Sequence, residues 1–252
     1  MAGDDIATMD IHKLTFPISV LTTLPKDQLS AFLLLGLFLN EANWLQKILL
    51  VSTLDQSGHE AEEKARLALS LMMAKLLAAK IHEGWNRLSH DPLKTTLDAL
   101  PKSTRAEKLR ARLTQQLAKN SLMHQVRLRH AAHYPTSLSL EGLPNLTQGE
   151  AAIFMTEHAG DVFSLVSELS AVAEMKAIGQ SEDLGIALGN IIDELVDVAG
   201  NYCEWLALML SSCFEVVSIK PTQEIIANAE APRLDETRLR FFAKPPTVTH
   251  GD

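Results

Sequence analysis

EAEEKARLALSLMMAKLLAAKIHEGWNRL, residues 60–88, is the stretch that decides the fold class. Leu67, Leu71, Ala74, Leu77, Ala78 and Ile81 recur at intervals of three and four, which gathers apolar side chains on one face of a helix. The run predicts one long helix from about Glu60 to Leu88, ended by the loop SHDP at 89–92. A striped helix of that length has to bury its stripe against other elements.

The flanking segments repeat the pattern. Asp27 is a fitting N-cap for a helix from Lys26-Asp27 to about Ser52, with Phe32, Leu35, Leu39, Trp44, Leu45, Ile48 and Leu49 at helical spacing. TLDQSGH, 53–59, reads as a loop, and 92–100 as a short helix interrupted by Pro101. A third long helix is expected from about Thr104 towards His133, because Pro135 disfavours helical dihedrals in the residue before it. Thr147 and Glu150 fit a capping box that opens a fourth helix, closed by Gly179. A fifth spans about Ser181 to Val216, with a weak point at Gly189-Asn190. The expected architecture is all-α, a single-domain bundle of about five long helices joined mostly antiparallel. Residues 1–28 read as a lead-in with extended structure around LTFPISVLTTLP. Residues 29–218 form the helical domain, and 219–252 read as a poorly packed tail.

Composition agrees. Of 252 residues, 46% are hydrophobic and 21% charged, the balance of a globular chain, and aromatics at 5% are too few for a strand-rich core. The longest apolar run, AFLLLGLFL at 31–39, is too short to span a bilayer and stops at Asn40-Glu41. The first residues carry acids rather than a basic and apolar leader, so a soluble cytoplasmic protein without a membrane partner is expected. Cys203 and Cys213 lie ten residues apart in one predicted helix. That is about 15 Å along the axis, too far to pair within it.

The net charge of −8 argues against a protein that coats nucleic acid, yet the charge is uneven. Residues 102–130 hold eight bases (Lys102, Arg105, Lys108, Arg110, Arg112, Lys119, Arg127 and Arg129) and one acid, Glu107. A segment of about +7 in an acidic chain is either a local anion-facing surface or a helix face whose charges are partnered by acids elsewhere.

That segment runs into VRLRHAAHYP, 126–135. Arg129 and His133, four apart, share a helix face, and Arg127 and His130, three apart, are neighbours. Arg127 and His133, six apart, converge only if the chain bends ahead of Pro135. An arginine beside a histidine suits phosphodiester chemistry. The guanidinium clamps a non-bridging oxygen and the imidazole moves a proton near neutral pH. With the 2′-hydroxyl of RNA as nucleophile, no metal or cofactor is required.

Arg127, five intervening residues, then His133 and Tyr134 resemble the Arg-x(4–6)-His signature of the HEPN superfamily, which also lies near a helix end in an all-helical domain. The resemblance implies a HEPN-like domain over residues 29–218 and a metal-independent endoribonuclease of the kind found in toxin–antitoxin and antiviral systems. It implies a homodimer whose two motifs line one RNA-binding cleft, with an antitoxin or a nucleotidyltransferase as further partner. By it, Arg127 clamps phosphate and His133 transfers the proton. Arg129, His130 and Tyr134 are auxiliary RNA contacts, joined by Lys119 and Arg112 on the basic segment. Leu128 stands where that family usually has a polar residue. That departure favours a second expectation, a non-catalytic helical module binding RNA, nucleotide or protein.

Asn40, Glu41 and Asn43 sit in an otherwise apolar helix. They either support the motif from across the bundle or form the polar stripe of that helix. His90-Asp91 reads as a helix cap. No histidine has Glu three residues before it, so the di-iron bundle class is set aside. His124, His130 and His133 lack a nearby cysteine or carboxylate to complete a zinc site, and the metal expectation is none. The acids Asp193, Glu194 and Asp197 are expected on a solvated or salt-bridged face.

Overall fold

The computed structural model of the chain describes residues 8–54, 58–119, 121–130, 152–155, 162–164, 175–176, 178–216, 222–230, 237 and 239. Among them are seven helices: α1 (Ile18–Thr22), α2 (Lys26–Leu54), α3 (Glu60–Leu88), α4 (Leu93–Asp98), α5 (Thr104–Gln116), α6 (Leu122–His130) and α7 (Leu184–Val216). Two small antiparallel ladders accompany them. One pairs β1 (Thr8–Thr15) with β4 (Thr222–Glu230), the other β2 (Ile153–Phe154) with β3 (Phe163–Ser164). The fold is an all-α bundle.

α3 is the hub, bounded as its spacing predicts. Leu71, Ala74, Leu77, Ala78 and Ile81 are all buried. α2 runs antiparallel to it, since partner numbers fall on one helix as they rise on the other. Ser70 Oγ donates to Ser52 Oγ at 2.9 Å, and Lys80 Nζ reaches Glu41 Oε1 at 3.0 Å. α7 packs along α2 and α3 through Leu195, Leu206 and an edge-to-face pair of Trp205 and Trp85, whose ring centroids are 5.3 Å apart. α6 closes α3 on another side with Met123 and Val126. Each fully buried leucine or isoleucine contributes about 1.5–3 kcal/mol of transfer free energy. This shared core therefore holds the helices that position the site.

Four sequence expectations change, the first in the lead-in, where Ile18–Thr22 of LTFPISVLTTLP is the short helix α1 and not extended chain. The third long helix is two helices. α5 ends at Gln116 with Leu117 as its cap, and Ser121 Oγ accepts the backbone N–H of His124 at 3.2 Å, starting α6 afresh. A side-chain cap that satisfies a free N–H favours a new helix start over continuation of the old one. Within the predicted fourth helix, Ile153↔Ser164 and Phe154↔Phe163 are paired as strands, with the two phenyl rings stacked at 6.1 Å. Clustered Ile, Phe and Val favour that pairing over the helix opened by the capping box, much of which lies outside the described residues. The fifth helix, in contrast, passes through Gly189-Asn190 unbroken.

The lead-in and the tail meet. Ile11 faces Ile226, Lys13 faces Glu224 and Thr15 faces Thr222, with an irregularity between Met9 and Ile11. The described side chains of this ribbon are exposed, from Met9 to Thr15 and from Thr222 to Ile226. It ties the two segments together without adding to the core. Among the described residues no helix is long and apolar enough to cross a membrane.

Candidate functional site

The basic segment is split by the bundle. On α5, Arg105 Nε and Nη2 donate to the two carboxylate oxygens of Glu204 at 2.7 and 2.6 Å. Arg112 Nη2 is bonded to Asp197 at 2.7 Å, and Gln116 joins the same carboxylate at 2.6 Å. Arg110 is bonded to Asp98 of α4, and Lys102 approaches it at 3.9 Å. These hydrogen bonds hold the Asp98 and Glu204 carboxyls below their ordinary range. The three α5 arginines are thus partnered by acids, as one of the two readings of the segment had it for its charges. Arg112, expected as an RNA contact, serves that lattice, and so does Asp197.

α6 is different. Its first turn sets His124 against His82 of α3, with His124 Nδ1 3.2 Å from His82 Nε2. Asn86 Nδ2 lies 3.1 Å from His82 Nδ1. An amide N–H has only a donor to offer, so His82 accepts at Nδ1 and carries its proton on Nε2. That N–H points to Nδ1 of His124. His82 is 6% exposed. Burial lowers its pKa first, and the charges of Arg127 and then His124 lower it further. The buried His82, linked to His124, therefore stands beside a guanidinium. Arg127, three residues after His124, shares its helix face. Arg127 is half-buried and makes no ion pair among the described residues, unlike Arg105, Arg110 and Arg112.

The other expected site residues are distributed as follows. Lys119 is exposed in the turn between α5 and α6. Arg129 and His130 lie on α6 with their side chains outside the described residues, and His133 and Tyr134 lie wholly outside them. Glu41 bonds Lys80, Asn40 is exposed and Asn43 is half-buried. None of these three is hydrogen-bonded to Arg127. His90 Nδ1 donates to the backbone oxygen of Asn86 at 2.5 Å, so the SHDP loop buttresses Asn86. Among the described residues no three His, Cys, Asp or Glu side chains converge as metal ligands.

The sequence reading missed His82 and Asn86. Their signal is a His-x-x-x-Asn pair, four apart, that continues the buried face of α3 past Ile81. No protein-family model, curated protein or solved structure matches the chain.

Proposed function

We propose that the chain is an RNA-binding protein of the cytoplasm that cleaves RNA without a metal ion, using the α3–α6 seam and the residues that follow α6. The observation that supports this reading is the setting of Arg127. It is the described arginine of the basic segment with no carboxylate bonded to it, and it stands beside two linked imidazoles. In the proposed reaction Arg127 binds a non-bridging phosphate oxygen. An imidazole takes the 2′-hydroxyl proton, the O2′–P bond forms, and the P–O5′ bond breaks. The departing 5′ oxygen takes a proton, giving a 2′,3′-cyclic phosphate and a 5′-hydroxyl. His124, three residues before Arg127 on α6, is the imidazole of this site linked to His82, and His133 holds the same role by resemblance to the HEPN motif.

The test is incubation of the protein with total RNA in EDTA, followed by end-group analysis. Cyclic phosphate ends that disappear in Arg127→Ala support the reading. Intact RNA with wild-type protein overturns the enzymatic form. The second reading, a non-catalytic interaction module, is favoured by one observation: α2 leaves Leu33, Leu37 and Trp44 exposed.

A further inference from the structure

α2, α3, α6 and α7 leave a cavity of about 600 Å³ between them. Protein interiors hold few voids larger than a water molecule, so a space of this size is not a packing defect of ordinary kind. Its volume lies in the range of small-molecule sites. Leu71, Ala74, Val126, Met175, Leu188 and Ile191 form a buried, apolar floor. Thr53, Glu63, Leu67, Gly185 and Ile192 are exposed or half-buried and make the rim. On α7, Gly185 and Gly189 stand one turn apart in the lining. A Cβ added at Gly189 would meet nothing within 4 Å, so α7 leaves that side of the space unfilled.

Part of the wall is polar. Arg66 and Ser70 of α3 and Ser52 of α2 line it, and they are 4%, 3% and 4% exposed. Ser70 Oγ donates to Ser52 Oγ at 2.9 Å, and Ser52 Oγ donates to the backbone oxygen of Leu49 at 2.8 Å. Both hydroxyl protons are thus committed within the protein, and Arg66 brings the donors to this wall. A guanidinium carries five N–H donors in a planar fork and accepts nothing. The fork matches the two oxygens of a carboxylate. A cation set in a low-dielectric wall also attracts an anion more strongly than one in water. Glu63 is the acid in the lining, and it stands at the exposed rim.

We propose that this cavity binds a single-chain amphipathic carboxylate, its head against the Arg66 guanidinium and its alkyl chain on the apolar floor. The lining follows α3 from Glu63 to Ala74, about 16 Å of helix, which gives an extended chain room to lie along it. The floor takes the chain out of water, and the buried fork orients the head. His82, His124 and Arg127 are not in the lining, and the inference is independent of the RNA reading.

The experiment is calorimetric titration of the full chain with octanoate, and with octanol as the uncharged chain of equal length. Octanoate should saturate at a single molecule per chain and bind at least about tenfold more tightly than octanol. It should raise the thermal midpoint, and its binding should grow more exothermic on warming, the mark of buried apolar surface. The comparison of heads is made on the wild type and needs no variant to fold. Gly189→Phe fills the space from α7. Phenylalanine is a better helix former than glycine, so the variant should unfold no lower than wild type while octanoate binding falls by at least about tenfold. Uptake with no plateau at a single molecule per chain overturns the proposal. So does octanol binding as tightly as octanoate, or octanoate binding that Gly189→Phe leaves intact.

Discussion

α5 and α6 come from one basic run of sequence, yet they meet opposite electrostatic fates. The arginines of α5 lie against α7 and α4, where Glu204, Asp197 and Asp98 neutralise them. Arg127 of α6 lies against α3, where histidines meet it in place of carboxylates. The difference teaches that local charge density does not define an anion-binding surface. What matters is whether the neighbouring helix supplies the counter-charge. On α5 it does, and the net field is small. On α6 the neighbouring helix presents the buried His82 in place of a carboxylate, and the guanidinium's charge is available to an anion.

Breaking the comparison at its sharpest point gives the largest expected effect. Arg127→Ala should lower the proposed RNA cleavage by about 100-fold or more, the usual loss when a transition-state cation is removed. Arg112→Ala should leave it within about twofold, because that charge is already spent on Asp197. Initial rates on a labelled oligonucleotide in EDTA compare the two directly. Loss of cleavage in Arg112→Ala equal to that in Arg127→Ala would erase the distinction.

The second prediction sharpens the imidazole side. The folded pKa of His82 lies below its unfolded value of 6.5. As pH falls below about 6.5 the unfolded chain is protonated first, while the folded ring resists. Stability from neutral His82 is complete above that pH and is lost as pH falls through the lowered folded value. Urea midpoints measured between pH 8 and pH 5 should drop more steeply for wild type than for His82→Gln. Parallel curves would show that the ring titrates alike in both states.

The third compares the two helix starts. Ser103 Oγ accepts the N–H of Ala106 at 3.1 Å on α5, and Ser121 Oγ that of His124 at 3.2 Å on α6. Each serine to alanine change should cost about 1 kcal/mol in chemical denaturation. Only Ser121→Ala should also reduce RNA cleavage, because its partner carries the site's outer imidazole. The smallest effect is expected from the exposed lattice itself. Arg112→Ala should change stability by less than about 1 kcal/mol, and less still in high salt.

The sequence makes α3 legible because spacing of three and four runs from Leu67 to Ile81, and α2 because a long Leu-rich run without proline follows Asp27. It conceals the break between α5 and α6, because the basic residues run on past Leu117 and only the Ser121 hydroxyl, invisible to periodicity, favours a new start. It conceals the Phe154–Phe163 ladder because two residues per strand are too few to show alternation. Of the site, Arg127 is legible from its motif. His82 and Asn86 are not, since a polar pair on a helix gains chemical meaning only when another helix packs there. Which neighbour that is, α6 and not α5, is set by tertiary packing.

The β1–β4 ribbon has a mechanical consequence. Thr8 lies opposite Glu230 and Thr15 opposite Thr222, so the outer ends of the two strands adjoin. Tension between residues 8 and 230 would load the ladder end-on and peel it one rung at a time rather than shear it. The helices would feel no pull until Thr15 and Thr222 parted, which makes the ribbon a weak outer clasp that yields ahead of the bundle.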